Sequence, residues 1–349
     1  MEKNNIQIFS YNEEDFHYKV KDENVDSKFD IALKEKWKRA EEDDILRYSV
    51  KAQQFKILEG KYGFYAQLNT ERATMRRKPE EIQSMQQPFD PNRFNFTRIS
   101  HKEILLDIGN SDGDDIVAVN VSPILWSHCL LIPQRFSCLP QQATLYSFQK
   151  AIDILLLSNS ENMRVLFNSL CANASVNHLH WHLYYLNHRV ILEYIPLQYF
   201  IGSIFILEDY PAKGFCIKFS SFQNITEYTL YAYKIISCLQ NNQLAHNIYI
   251  TRAKADANSK ECDDIRTYIW ARTSSYGAKN TKDFVIAACE IFGHLPIRSE
   301  EAYTRINEEY VSECLEDTTL SAFLVAKEKI KKTLEDDVEK SVDASSSKT

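Results

Sequence analysis

The chain has 349 residues, 44% hydrophobic and 26% charged, values that fall within the globular range and exclude a disordered or fibrous protein. The length allows one large core or two modest ones. Lys plus Arg number 41 against 48 Asp plus Glu, a net charge of −7, which argues against a nucleic-acid partner held by phosphate neutralisation but leaves room for a small anion in a local basic pocket.

The amino terminus, MEKNNIQIF, lacks the apolar core of a signal peptide, and residues 1–28 read as a loose polar extension. Phe29, Leu33, Trp37 and Ala40 then fall on one face of a helix. GKYGFYAQLNTER reads as a turn and strand running into the basic cluster Arg72, Arg76, Arg77 and Lys78. PFDPNRFNF is irregular, with aromatic anchors. EILLDI and DIVAVNVSP read as antiparallel strands divided by the turn-rich GNSDGDD, and HCLLIP as a further strand. Leu145, Phe148, Ile152 and Leu155 mark an amphipathic helix. MRVLFNSLCANASVNHLHWHLYYL reads as two strands joined by a small-residue turn.

The charge-free stretch from Tyr194 to Leu207 contains Pro196 and Gln198 and is shorter than the ~20 residues a bilayer requires, so no membrane partner is expected. A second series follows: a GFCIKF strand, a helix over TEYTLYAYKIISCLQ, the strands NIYITRA and DIRTYIWAR, and a helix through FVIAACEIF. A charged amphipathic helix from about Ser299 to Asp337 precedes a tail expected to be disordered. The resulting class is α+β, with antiparallel sheets and flanking helices. The expected division is an extension at 1–28, a first half at 29–200, a second half at 201–338 and a tail at 339–349.

Eight cysteines lie far apart without a C-x-x-C pair. They read as reduced small hydrophobes in a cytoplasmic protein, and their spacing does not suit a zinc site. Glycine is scarce, with eight where an average chain of this length carries about 24. No two are spaced G-x-G, so neither a Rossmann fingerprint nor a Walker loop is present. Any phosphate must be held without a glycine cradle.

Histidine is where the chemistry concentrates. His178, His180 and His182 alternate with Leu179, Trp181 and Leu183, so on a strand the three imidazoles share one face. Such a row suits either metal ligation or nucleophilic attack on phosphorus by a neutral imidazole whose other nitrogen is a fixed donor. A flanking histidine then protonates or stabilises the leaving oxygen. The uncharged donors Asn168, Ser169, Asn173 and Ser175 lie just upstream, and no Asp or Glu occurs between Asn168 and Leu192. That context favours phosphorus over metal. Arg72, Arg76, Arg77 and Lys78 are candidates for the local positive pocket, and Asn69 and Asn168 for polar contacts to nucleotide or phosphate. Trp270 and Arg272 are weaker candidates for clamping a nucleotide. His128 reads as a hydrogen-bonded core histidine rather than a catalytic group.

H-L-H-W-H-L-Y resembles the motif of the histidine-triad superfamily, and SPILWSHCLLIP resembles its upstream histidine-bearing strand. Together with FYAQLNTERATMRRKPE, PFDPNRFNF, FNSLCANASVNHLHWHLYYL and CEIFGHLP, these segments resemble the GDP-D-glucose phosphorylase family, relatives of the plant GDP-L-galactose phosphorylases. The resemblance spans roughly residues 51–309. It implies a histidine-triad-like fold in two halves, as in galactose-1-phosphate uridylyltransferases, and a guanylyltransferase without cofactor or metal. Its partners would be GDP-D-glucose, inorganic phosphate and GDP. By the resemblance His180 is the nucleophile, His182 contacts the phosphate or leaving oxygen, Ser175 contacts a non-bridging oxygen and His178 orients the strand. A histidine-triad hydrolase releasing GMP and a metal-dependent or non-catalytic nucleotide binder are the alternatives. The chain departs from the family at Ser127 and Cys171, where glycine is usual.

Overall fold

The computed structural model describes residues 6–21, 25–50, 54–256, 259–276 and 283–346, with side chains described as far as residue 336. Its centre is a ten-stranded sheet in which every neighbouring pair is antiparallel. In spatial order the strands are Ile104–Asp107, Ile116–Val119, Cys129–Ile132, Trp181–Tyr185, Met163–Asn168, His246–Ala253, Asp264–Ala271, Phe215–Lys218, Ile204–Ile206 and Gln198–Ile201. The first five precede residue 186 in the chain and the last five follow residue 197. Met163–Asn168 joins the two sets by pairing with His246–Ala253, Asn168 opposite Asn247.

Side-chain alternation gives each face its own cover. Trp181, Leu183 and Tyr185 point into a core shared with the helices Lys28–Glu42, Leu145–Leu157 and Ile225–Asn241 and with Phe323, Ala326 and Ile330 of the long helix Glu308–Ser346. Tyr184, Tyr249, Tyr268 and Trp270 point the other way, against Phe64, Phe292 and Leu295. A three-stranded sheet lies on that second face, formed by Gln54–Ile57, Tyr65–Leu68 and His294–Ile297. Its Tyr65–Leu68 and His294–Ile297 strands run parallel. That pairing carries the basic segment after Leu68 to the chain's other end, beside Glu290 and Arg298.

Several elements depart from the sequence reading. Residues 6–21 do not hang loose. Phe9, Tyr11, Phe16 and Tyr18 pack on the core, and Val20–Lys21 pairs with Glu261–Cys262. The FVIAACEIF helix shrinks to Ala288–Ile291, because Ile286 O accepts from Asn173 Nδ2 and from Arg272 Nη1 and is lost to a helix ladder. At the carboxyl end the helix continues to Ser346, since nothing after Glu308 is Gly or Pro to stop it. The last three residues of the expected tail lie outside the described residues. All eight cysteines are free. Among the described residues no helix is long and apolar enough to cross a membrane.

Candidate active site

The triad is not a continuous strand. Ladder pairing begins at Trp181, and His178 and His180 sit in the preceding segment. A side chain replaces the missing strand neighbour. Gln141 Oε1 accepts from the His180 N–H at 2.8 Å, and its Nε2 donates to His180 O at 3.0 Å and to Asn168 O at 2.9 Å. Gln141 is fully buried and is itself fixed by its N–H on Asn177 Oδ1. Leaving either backbone group unmade here would cost about 1–3 kcal/mol, so this amide holds His180 in place.

Each imidazole has its protonation pattern set by neighbours. His180 Nδ1 lies 2.7 Å from His178 O. A carbonyl only accepts, so Nδ1 carries the proton and Nε2 the lone pair. His178 Nδ1 accepts from the Phe96 N–H at 3.0 Å, while Nε2 donates to Arg135 O at 3.1 Å. Both its nitrogens serve structure, and burial lowers its pKa to about 4. Metal ligation by all three histidines would break those bonds. Among the described residues no group of three or more His, Cys, Asp or Glu could hold a metal.

His182 takes its tautomer from His128. The Ile124 N–H donates to His128 Nδ1 at 2.9 Å, which makes Nε2 the protonated nitrogen of the neutral ring. Burial, reinforced by Arg72, His294 and His180, holds the His128 pKa well below its usual value. His128 Nε2 lies 3.0 Å from His182 Nδ1 and 3.2 Å from Asn120 Nδ2. The Asn120 oxygen is engaged by the Ser122 N–H, so its amide presents only N–H groups to His128 and cannot take the proton. His182 Nδ1 is the acceptor, and His182 Nε2 is the donor of the neutral ring.

Two cavities meet at Arg72, Arg76, Ser175 and His182. The first also contains His180 and the apolar walls Phe94, Phe96, Ile99, Val119, Val121 and Leu130, around about 720 Å³ of space open to solvent. The second is lined by Asn69, Asn168, Asn173, Glu290 and Arg298, of similar volume. Burial lowers the Arg76 pKa to about 10, with the like charges of Arg72 and Arg298 adding to it, and lowers that of Arg298 as well. Three partly desolvated guanidiniums converging on one space are matched to an anion. Glu290, whose carboxyl is pushed up by burial, is the acid in that wall.

Of the residues singled out from sequence, His180, His182, Ser175, Arg72, Arg76 and Arg77 border the first cavity, and Asn69 and Asn168 border the second. Arg77 lies over the Phe94 ring at 3.1 Å. Asn69 is held at both ends, Oδ1 capping the Thr70–Met75 helix at the Arg72 N–H and Nδ2 donating to Ile124 O. His178 borders neither. Trp270 is buried in the core, with Nε1 on Ala212 O. Gln141, Arg298 and Glu290 escaped the sequence reading. Arg298 follows the apolar HLPI and carried a faint signal as a charge at a strand end. Gln141 in LPQQAT carried none.

An antiparallel ten-stranded sheet with helices on one face and H-L-H-W-H entering a central strand defines a histidine-triad-like protein. The fold is shared by the yeast Ap4A phosphorylase Apa2, seen in complex with Ap4A and with AMP, at TM-score 0.62 and 13% identity over 84% of this chain. It covers 98% and 97% of those two structures. The profiles of the GDPGP1-like N-terminal domain and the GDPGP1-like C-terminal domain match residues 28–184 and 201–337, and the chain belongs to this family. It is 37% identical over 321 residues to GDP-D-glucose phosphorylase 1 of Danio rerio, covering 88% of this chain and 93% of that one. The Homo sapiens GDP-D-glucose phosphorylase 1 is 35% identical, with 84% and 80% covered. GDP-L-galactose phosphorylase 2 of Arabidopsis thaliana is 30% identical, with 82% and 71% covered.

Proposed function

We propose that this chain is a GDP-hexose phosphorylase that carries GMP from GDP-D-glucose to inorganic phosphate through a covalent histidine adduct. The observation that carries the reading is the 2.7 Å contact from His180 Nδ1 to His178 O, which leaves the Nε2 lone pair as the nucleophile. Nε2 attacks the α-phosphorus, an N–P bond forms, and the bond from that phosphorus to the bridging oxygen breaks. The electron pair leaves with glucose 1-phosphate. His182 Nε2–H stabilises the negative charge growing on the bridging oxygen, and Ser175 with Arg72, Arg76 and Arg77 binds the phosphate oxygens. Inorganic phosphate then attacks the same phosphorus, the N–P bond breaks and GDP departs.

The two cavities fit an in-line displacement. His180 borders only the first, and His182 borders both, so a nucleoside against the apolar walls leaves the departing sugar phosphate directed toward the second. Residues 29–200 supply the histidines and form the catalytic half. Residues 201–338 form the second half, which closes the second cavity with Glu290 and Arg298. Eight free cysteines fit a cytoplasmic setting.

The test is to incubate the protein with GDP-glucose, with and without phosphate, and to identify nucleotides and adducts by mass spectrometry. Phosphate should yield GDP and glucose 1-phosphate. Without it GMP should remain linked to His180, and His180→Asn should show neither product nor adduct. GMP release that ignores phosphate would make the protein a hydrolase instead.

A further inference from the structure

The second cavity holds one acid in a wall of cations and amides, and that acid is not matched to a phosphate. Glu290 caps the amino-terminal end of Ala288–Ile291 with its side chain. Its Oε2 accepts from the Ala287 N–H at 2.9 Å and lies 2.9 Å from Cys289 Sγ. Both bonds fall on the same oxygen, and no side chain among the described residues donates to Oε1. Asn168 is arranged in the complementary way. Its Oδ1 accepts from Asn247 Nδ2 at 2.7 Å and from the Ala288 N–H at 2.8 Å. Two donors on one oxygen fix the amide orientation, and Nδ2 makes no hydrogen bond among the described residues. The same short helix thus ties both side chains down and turns an acceptor and a donor into one cavity.

A phosphate dianion is repelled by a carboxylate, whereas a sugar hydroxyl needs one acceptor and one donor. The cavity's arginines satisfy the anion, and Glu290 with Asn168 satisfies something neutral and hydroxylated attached to it. We infer that Glu290 and Asn168 bind the hexose hydroxyls of the GDP-sugar and determine which hexose is accepted. This rests on the phosphorylase reading above and deepens it. A hydroxyl bonded to a buried carboxylate discriminates strongly, because the wrong epimer leaves that group desolvated and unpaired. The hexose is present in the first half-reaction only, so Glu290 acts there and is idle when phosphate attacks the adduct.

The experiment compares kcat/KM for GDP-glucose with those for its C2 and C4 epimers, GDP-mannose and GDP-galactose, in wild type and in Glu290→Gln. Phosphate is varied separately against the preformed GMP adduct. The variant should lose about 10- to 100-fold on GDP-glucose, the range of a hydrogen bond to a charged group. Its preference among the three sugars should shrink, and breakdown of the adduct by phosphate should be unchanged. Glu290→Asp keeps the charge but withdraws it by one methylene and should show the same sugar-selective loss, which covers the case of a poorly folded Gln variant. Unchanged sugar ratios, or a loss confined to the phosphate step, would overturn the inference and make Glu290 a counter-charge for the arginines. A wild-type protein that turns over none of the three sugars would instead overturn the phosphorylase reading.

Discussion

His128 Nε2 and His182 Nδ1 stand 3.0 Å apart, and the direction of that hydrogen bond is set four residues away, by the Ile124 N–H on His128 Nδ1. A backbone amide cannot change its role, so the series from the Ile124 amide through His128 to His182 is a one-way relay that keeps His182 Nε2 protonated. His128→Ala removes the relay while leaving His180 and its Gln141 clamp untouched. The rate of GMP–His180 formation should fall by roughly 10²-fold, the scale of losing one oriented hydrogen-bond donor to the transition-state charge, with little change in KM for GDP-glucose. Adduct breakdown by phosphate should slow as well, because the same N–H serves the reverse displacement. Rapid-quench measurement of both half-reactions checks this, and a change in KM alone would reduce His128 to a packing residue.

Acid should destabilise the fold through its buried histidines. Burial lowers the pKa of His178 and of His246 to about 4 and that of His294 to about 3. In the unfolded chain these imidazoles titrate near 6.5. Below that value the unfolded state binds protons that the folded state refuses, so stability rises with pH up to about 6.5 and is lost as pH falls toward the folded values. Asp153, Glu193, Asp264 and Glu290, raised by burial, act in the opposite sense and flatten the curve at its acid end. Urea unfolding at pH 7.5, 6 and 5 should show a falling midpoint, and His294→Gln should make that decline shallower. A stability independent of pH over this range would contradict the buried neutral state of these rings.

Much of this was open to reading from residue order, because the sheet strands alternate or run apolar between turn signals. Leu145–Leu157 and Ile225–Asn241 likewise follow helical period. The histidines and arginines were visible because few residue types do their chemistry. What stayed hidden depends on contacts between distant segments. Gln141 matters only because it stands where a strand neighbour of His180 is missing, and Arg298 only because His294–Ile297 pairs in parallel with Tyr65–Leu68. A helical period in FVIAACEIF said nothing of Asn173 and Arg272 taking Ile286 O.

The two positions at which the resemblance leads one to expect glycine share an unusual backbone conformation. Ser127 and Cys171 both occupy the left-handed region, at φ of 68° and 58°, where a Cβ costs roughly 1–2 kcal/mol. Each is buried, and Ser127 Oγ accepts from the Tyr185 N–H at 3.2 Å, an interaction glycine cannot make. Comparing the serine or cysteine directly with glycine therefore mixes strain with lost contacts. Comparing alanine with glycine isolates the strain, because both lack the Oγ or Sγ. At an ordinary position alanine is the more stable by about 0.5–1 kcal/mol. At 171 the order should invert, Cys171→Gly exceeding Cys171→Ala by about 1 kcal/mol in urea unfolding, and Ser127→Gly should likewise exceed Ser127→Ala. Alanine proving equal or better at either position would show that the turn relaxes out of the left-handed region once the native side chain is gone.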